Sequence, residues 1–223
     1  MVKVKICGIT NVEDAQAAAG CGADLLGFVF VKDTPRYVGI DAVKDIVAAL
    51  NDAGFRKVSK VGLFKDEDRD KAVEAVEFCG LDLLQLHGEE SSAYCREVKQ
   101  GLAALGRDEV KLIKTFKIDG RILPHGAQVM SEYTDADFFL FDTFCPGLAG
   151  GTGKSFDPKI LAGESEDIEK PFFVAGGLTP DNVKRAVKLT RPYAVDVSSG
   201  VEESPGIKDH KLLKEFIKNA KSA

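Results

Sequence analysis

Short, nearly unbroken apolar runs alternate with stretches of helical periodicity along the chain. The runs that predict strands are Val2–Gly8, Leu25–Val31, Lys57–Phe64, Leu83–His87, Val110–Phe116, Phe138–Thr143, Phe172–Gly177 and Ala194–Ser198. Near-continuous apolar character marks strands covered on both faces. Between them the spacing predicts helices over Val12–Ala19, Ala42–Leu50, Arg69–Cys79, Ser92–Lys99, His125–Tyr133, Pro180–Leu189 and Asp209–Ala220. Thr179-Pro180-Asp181 offers an N-cap, a proline for the first turn and an early acid, and Asp41 precedes Ala42 in the same sense. Strands separated by helices form βαβ units with right-handed crossovers, hence a parallel sheet. Eight strands with a helix after most of them fit a closed (β/α)8 TIM barrel better than an open sheet. Asp157–Glu169, carrying Pro158 and Gly163, predicts a short or irregular sixth helix. No linker or composition shift divides residues 1–223, so a single α/β domain is expected.

Composition narrows the picture. The 223 residues are 44% hydrophobic and 29% charged, enough chain to bury a core without staples. Thirty Lys+Arg against 35 Asp+Glu leave a net charge of −5 with no basic block, which argues against nucleic acid as a partner. No apolar run approaches the ~20 residues of a membrane span. Met1-Val-Lys-Val-Lys runs straight into a strand pattern without a signal-peptide core. The five cysteines (Cys7, Cys21, Cys79, Cys95, Cys145) are odd in number, irregularly spaced and lack a CxxC pair, which argues against a disulfide framework and a zinc site. A reducing cytoplasm is the expected compartment.

In a barrel the chemistry sits at the C-terminal ends of the strands. Reading just past each run gives Cys7-Gly8, Lys32–Arg36, Lys65, His87-Gly88, Lys117, Asp142-Thr143, Gly176-Gly177 and Ser198–Gly200. Ala175-Gly-Gly-Leu178, read as leading straight into a helix, and Asp196-Val-Ser-Ser-Gly200 suit a phosphate, since glycines admit close backbone approach and helix starts present N–H donors. The alternative is that these glycines only make tight turns. Gly147–Ser155 misses P-loop spacing by one residue and is read as a loop closing over a substrate. Cys7 and Asp142 are candidates for a base and an acid. Nearby cations or helix N-termini would lower the thiol's pKa, and burial behind Phe138–Phe141 would raise the carboxyl's. An inert buried thiol and a structural carboxylate are the alternatives. Gln85 is expected to point inward as polar barrel filling, with His87 at the strand end. Arg36 is read as a carboxylate clamp or a surface salt bridge.

Together these residues resemble the phosphoribosylanthranilate isomerase family of tryptophan biosynthesis. The matching segments are Lys5-Ile-Cys-Gly-Ile-Thr10, Leu26-Gly-Phe-Val-Phe30 with Pro35-Arg-Tyr-Val38, Val61-Gly-Leu-Phe64, Leu84-Gln-Leu-His-Gly88 and Asp142-Thr143. They continue through Gly150-Gly-Thr-Gly153, Phe156-Asp157, Ala175-Gly-Gly-Leu178 with Asn182-Val183, Ala194–Glu202 and Pro205–His210. The resemblance implies an Amadori rearrangement in which Asp142 is general acid and Cys7 general base. It puts Arg36 on the anthranilate carboxylate and Gly177, Ser199 and Gly200 on the phosphate. His87, Gly151, Gly176, Asp196 and Ser198 complete the implied substrate contacts. No metal or redox cofactor is implied. The implied partner is a small phosphorylated substrate, with the chain a monomer or homodimer. The chain departs from the family at Pro158, where many members carry Trp, and has a longer segment near Leu102–Glu109. A histidine-pathway sugar-phosphate isomerase and a silent phosphate-binding barrel are the alternatives. The first looks to an aspartate where this chain has Cys7.

Overall fold

In a computed structural model of the chain, residues 1–118, 126–142 and 168–223 are described. The elements run β1 (Lys3–Cys7), α1 (Val12–Gly20), β2 (Leu25–Val29), α2 (Ile40–Asp52), β3 (Ser59–Phe64), α3 (Arg69–Cys79), β4 (Leu83–Leu86) and α4 (Ser92–Ala104). They continue with β5 (Lys111–Lys117), α5 (Gly126–Ser131), β6 (Phe138–Asp142), β7 (Phe172–Ala175), α6 (Val183–Thr190) and β8 (Ala194–Val197). A small hairpin, β9 (Glu202–Ser204) and β10 (Ile207–Lys208), precedes α7 (His210–Lys221). β1 to β8 pair in chain order, every neighbour parallel, and β8 closes on β1. The expected (β/α)8 barrel is therefore the fold. The predicted sixth helix lies almost wholly outside the described residues.

Alternation along each strand sorts the side chains into two cores. Outward residues such as Val4, Leu26, Phe28, Leu84, Phe141 and Val174 pack under the helices. Inward, Leu25, Val61, Leu83, Ile113, Leu140, Phe173 and Ala194 fill the barrel. The helices begin where side chains accept the free N–H groups of the first turn: Asn11 for α1, Asp68 for α3, Ser91 for α4 and Asp209 for α7.

Three helices differ clearly from the periodicity. α2 spans Ile40–Asp52 with Gly39 at its cap, so Asp41 lies in its first turn and does not cap it. α4 extends to Ala104 rather than stopping at Lys99, because Gly101 is a close-packing position: a carbon added there would lie 3.1 Å from Val73 of α3. α6 starts at Val183, not Pro180. The Asn182 carboxamide accepts from Thr179 N at 2.8 Å and donates to Gly177 O at 2.9 Å, so a turn occupies residues 180–182 first. Ala175–Leu178 therefore does not lead directly into a helix. The β9–β10 hairpin has no hydrophobic alternation and was not predicted.

Candidate active site

The inward residues change character toward the strand ends. Above the apolar filling lie Lys5 and Cys7 on β1, Gln85 on β4, Thr115 on β5, Asp142 ending β6 and Asp196 on β8. Cys7 is buried against Val29 and Leu63. Two residues before it on the same strand face, Lys5 is wholly buried and binds Asp196 Oδ2 at 2.9 Å. Burial pushes the Cys7 thiol above its ordinary range. Lys5 pulls it down, Asp196 pushes it up and Lys208 pulls it down, but burial prevails. The expected cations are present, yet the resting group is a thiol, contrary to the lowered pKa anticipated from the sequence.

Asp142 also differs from expectation. As the last residue of β6 it reaches the barrel mouth, and its side chain keeps 23% of its surface exposed rather than being buried behind the phenylalanines. His87 Nε2 lies 3.4 Å from Asp142 Oδ2. Gln85, fully buried and inward as expected, places Nε2 3.2 Å from His87 Nδ1 and 3.3 Å from Thr115 Oγ1. His87 thus joins the acid's surroundings as more than a strand terminus.

Arg36 is not free, and its side chain is half-buried. Its guanidinium pairs in bidentate fashion with Glu202, Nε to Oε1 at 2.8 Å and Nη2 to Oε2 at 2.6 Å, and the Glu202 side chain is only 4% exposed. Its stem lies across Gly8, where an added carbon would come 2.8 Å from Arg36 Cδ. The loop is held by Val38 N donating to Val29 O. Lys208, buried in the hairpin, donates to Glu202 Oε1 at 2.8 Å, Cys7 O at 2.6 Å and Ser198 O at 3.3 Å. These bonds tie the ends of β1 and β8 to the Arg36 loop. Burial lowers the Lys208 pKa against the pull of Glu202. Glu202 is held below the usual carboxylate range: burial opposes this, but hydrogen bonds from Arg36 and Lys208 outweigh it.

At the seventh and eighth exits, Gly176 (φ 89°) and Gly177 (φ 61°) adopt left-handed backbone, so tight turning alone accounts for both glycines. Gly200 answers a closer demand: a Cβ there would lie 1.9 Å from Leu178 O, so only glycine lets the two exits touch. Ser199–Val201 forms a single 3-10 turn beside them. Ser198 Oγ is 3.5 Å from Glu202 Oε1. Asp196 faces Lys5 inside the barrel. Gly151 and the whole Gly147–Ser155 loop, with Cys145 and Pro158, lie outside the described residues. Sequence reasoning did not single out Lys5, Lys208 or Glu202. Lys5 was detectable, since it shares a strand face with Cys7. Lys208 and Glu202 meet only because the hairpin folds back. Among the described residues no cluster of His, Cys, Asp and Glu would hold a metal ion, and no helix is long and apolar enough to cross a membrane.

Residues 4–219 match the family model described as N-(5'-phosphoribosyl)anthranilate (PRA) isomerase. A relative of that name from Geobacter sp. strain M21 is 43% identical, the alignment covering 99% of this chain and 98% of the relative. The phosphoribosyl anthranilate isomerase of Thermotoga maritima superposes with a TM-score of 0.85 at 37% identity, covering 100% of both chains. Another such isomerase, solved with reduced 1-(o-carboxyphenylamino)-1-deoxyribulose 5-phosphate, gives 0.82 at 34% identity, again over 100% of both chains. Closed barrel, strand-end polar residues and full-length similarity agree: this chain belongs to the N-(5'-phosphoribosyl)anthranilate isomerase family.

Proposed function

We propose that the protein isomerises N-(5-phosphoribosyl)anthranilate to 1-(2-carboxyphenylamino)-1-deoxyribulose 5-phosphate, the third step of tryptophan synthesis from chorismate. The observation that carries this is the placement of Cys7 and Asp142 at the ends of inward-facing strands of one barrel, in a chain matched over its length by that family. Residues 1–223 are read as one catalytic domain working in the cytoplasm. In this reading Asp142 protonates the furanose ring oxygen, and the C1–O bond breaks to give a Schiff base. The cationic nitrogen acidifies the C2 proton, which Cys7 removes. The resulting enolamine takes up a proton at C1 and gives up the proton of its C2 hydroxyl, becoming the ketone. Each step is a proton transfer between groups held at one mouth.

The resting thiol needs a positive neighbour to yield its proton, and the Schiff-base cation supplies one where the base is required. His87 keeps Asp142 oriented toward the ring oxygen. Arg36, fixed through Glu202, presents its remaining N–H groups to the anthranilate carboxylate. Backbone amides around Gly177 and Ser199-Gly200 receive the phosphate, with Gly176, Asp196 and Ser198 in the surrounding wall. Purified protein should quench the fluorescence of phosphoribosylanthranilate without added metal. Cys7→Ala and Asp142→Asn should each lower the chemical rate at least ~10²-fold in a folded protein. Wild-type turnover by either variant defeats the mechanism.

A further inference from the structure

Lys5 is the most unusual side chain in the molecule. It is a lysine with no exposed surface, lying above the apolar filling of the barrel. A buried ammonium costs several kcal/mol unless it is paired. Asp196 Oδ2 meets it at 2.9 Å, while Asp196 Oδ1 is buried without a hydrogen-bond partner among the described residues. So expensive a pair is unnecessary for packing, since aliphatic residues would fill the same volume at no electrostatic cost.

Its location gives it a use. Cys7 and Lys5 project from the same face of β1, and opposite Cys7 on β2 stands Gly27. A carbon built on Gly27 would lie 2.9 Å from Cys7 Sγ and 3.1 Å from Lys5 Nζ. Sulfur and ammonium therefore border one methyl-sized space that a larger residue would fill. Among the described residues, the other charged groups around Cys7 are engaged elsewhere. Asp196 on β8 binds Lys5. Lys208 on β10 donates to the Cys7 carbonyl and to Glu202, and Arg36 is engaged by Glu202.

We propose that Lys5 is a positioning residue that favours the thiolate of Cys7 during turnover, with Asp196 fixing the ammonium beside the sulfur and Gly27 keeping the space between them open. Asp196, and Cys7 once it is ionised, favour the charged form of Lys5 against its burial. Lys5 also acts on the sulfur more strongly than Asp196 does. The proposal rests on Cys7 being the base.

The test is the ionisation midpoint of Cys7, read as ultraviolet thiolate absorbance against pH with the matching Cys7→Ser protein subtracted, alongside steady-state kinetics. Lys5→Met should raise the midpoint by about one pH unit or more and lower kcat about tenfold at neutral pH, with KM little changed and activity recovering as pH rises. Lys5→Arg should return the midpoint toward wild type. If Lys5→Met does not fold, Lys5→Met/Asp196→Asn removes both charges and should still raise the midpoint. An unshifted midpoint in a folded variant lacking Lys5 overturns the proposal. Full turnover by Cys7→Ser would instead overturn the base reading, whatever the titration of Cys7 shows.

Discussion

Replacing Lys114 with methionine should destabilise the protein by about 3–5 kcal/mol, because it strands a charge in the wall that supports the site. Lys114 points outward from β5 beneath the loop that follows β4. Its side chain is 3% exposed and pairs with Glu90, 2% exposed, at 2.6 Å. The Glu90 carboxylate also accepts from Asp66 N at 2.9 Å and from Gly88 N at 3.0 Å, and Lys114 donates to Gly88 O at 2.9 Å. Methionine fills the stem volume but leaves Glu90 with backbone donors and no cation. Against a typical total of about 5–15 kcal/mol the loss is large, and for a chain of this size it lowers the thermal midpoint by about 6–20 °C. Lys114→Met/Glu90→Gln removes the charge while keeping an accepting oxygen, and should recover more than half of the loss. Urea unfolding followed by circular dichroism measures both variants, provided the slope stays constant. A loss below about 1 kcal/mol, or a double variant no better than the single, refutes the reasoning. Since Gly88 follows His87, Lys114→Met should also lower kcat well below its melting range.

Glu202→Gln removes the negative charge holding Arg36 and should raise KM for phosphoribosylanthranilate more than it lowers kcat; an unchanged KM in steady-state kinetics counts against the clamp. Gly200→Ala forces a carbon into the Leu178 carbonyl, so it should cost about 1–3 kcal/mol and weaken binding of inorganic phosphate by calorimetry. Retained stability and binding would show that the two exits do not need to touch. Asp24, Asp137 and Glu202 are held below their ordinary pKa values, burial opposing and lysine or arginine hydrogen bonds prevailing. Their stabilisation is complete above the ordinary carboxyl range near 4 and fades as pH falls through the depressed folded values, so urea midpoints should drop steeply in acid. A midpoint flat between pH 6 and about 3 would contradict this.

The barrel was legible in the sequence because burial of a parallel strand on both faces leaves a continuous apolar run that needs no partner to be recognised. Seven of the eight strands fall within the predicted runs, most of them trimmed by a residue or two, and β5 runs one residue past its run to Lys117. α3 matches residue for residue because Asp68 and Gly80 mark its limits locally. Strand ends also pointed to the mouth, and Cys7, Asp142, His87 and Arg36 were found there by position alone. Their environments were not legible. Whether Asp142 is buried depends on where β6 stops relative to its neighbours. Whether Cys7 is lowered or raised depends on a balance between desolvation and charges brought from β8 and β10, nearly 200 residues away in the chain. Gly101 carries no signal of its own in the sequence, and Glu202 is one acid among 35. Only packing made the first a contact with Val73 and the second the shared partner of Arg36 and Lys208. Local patterning therefore determined the fold and the identity of the polar residues at the strand ends. Tertiary structure alone decided their charge states and pairings, because electrostatic energies in a dry interior depend on distances that no spacing along the chain encodes.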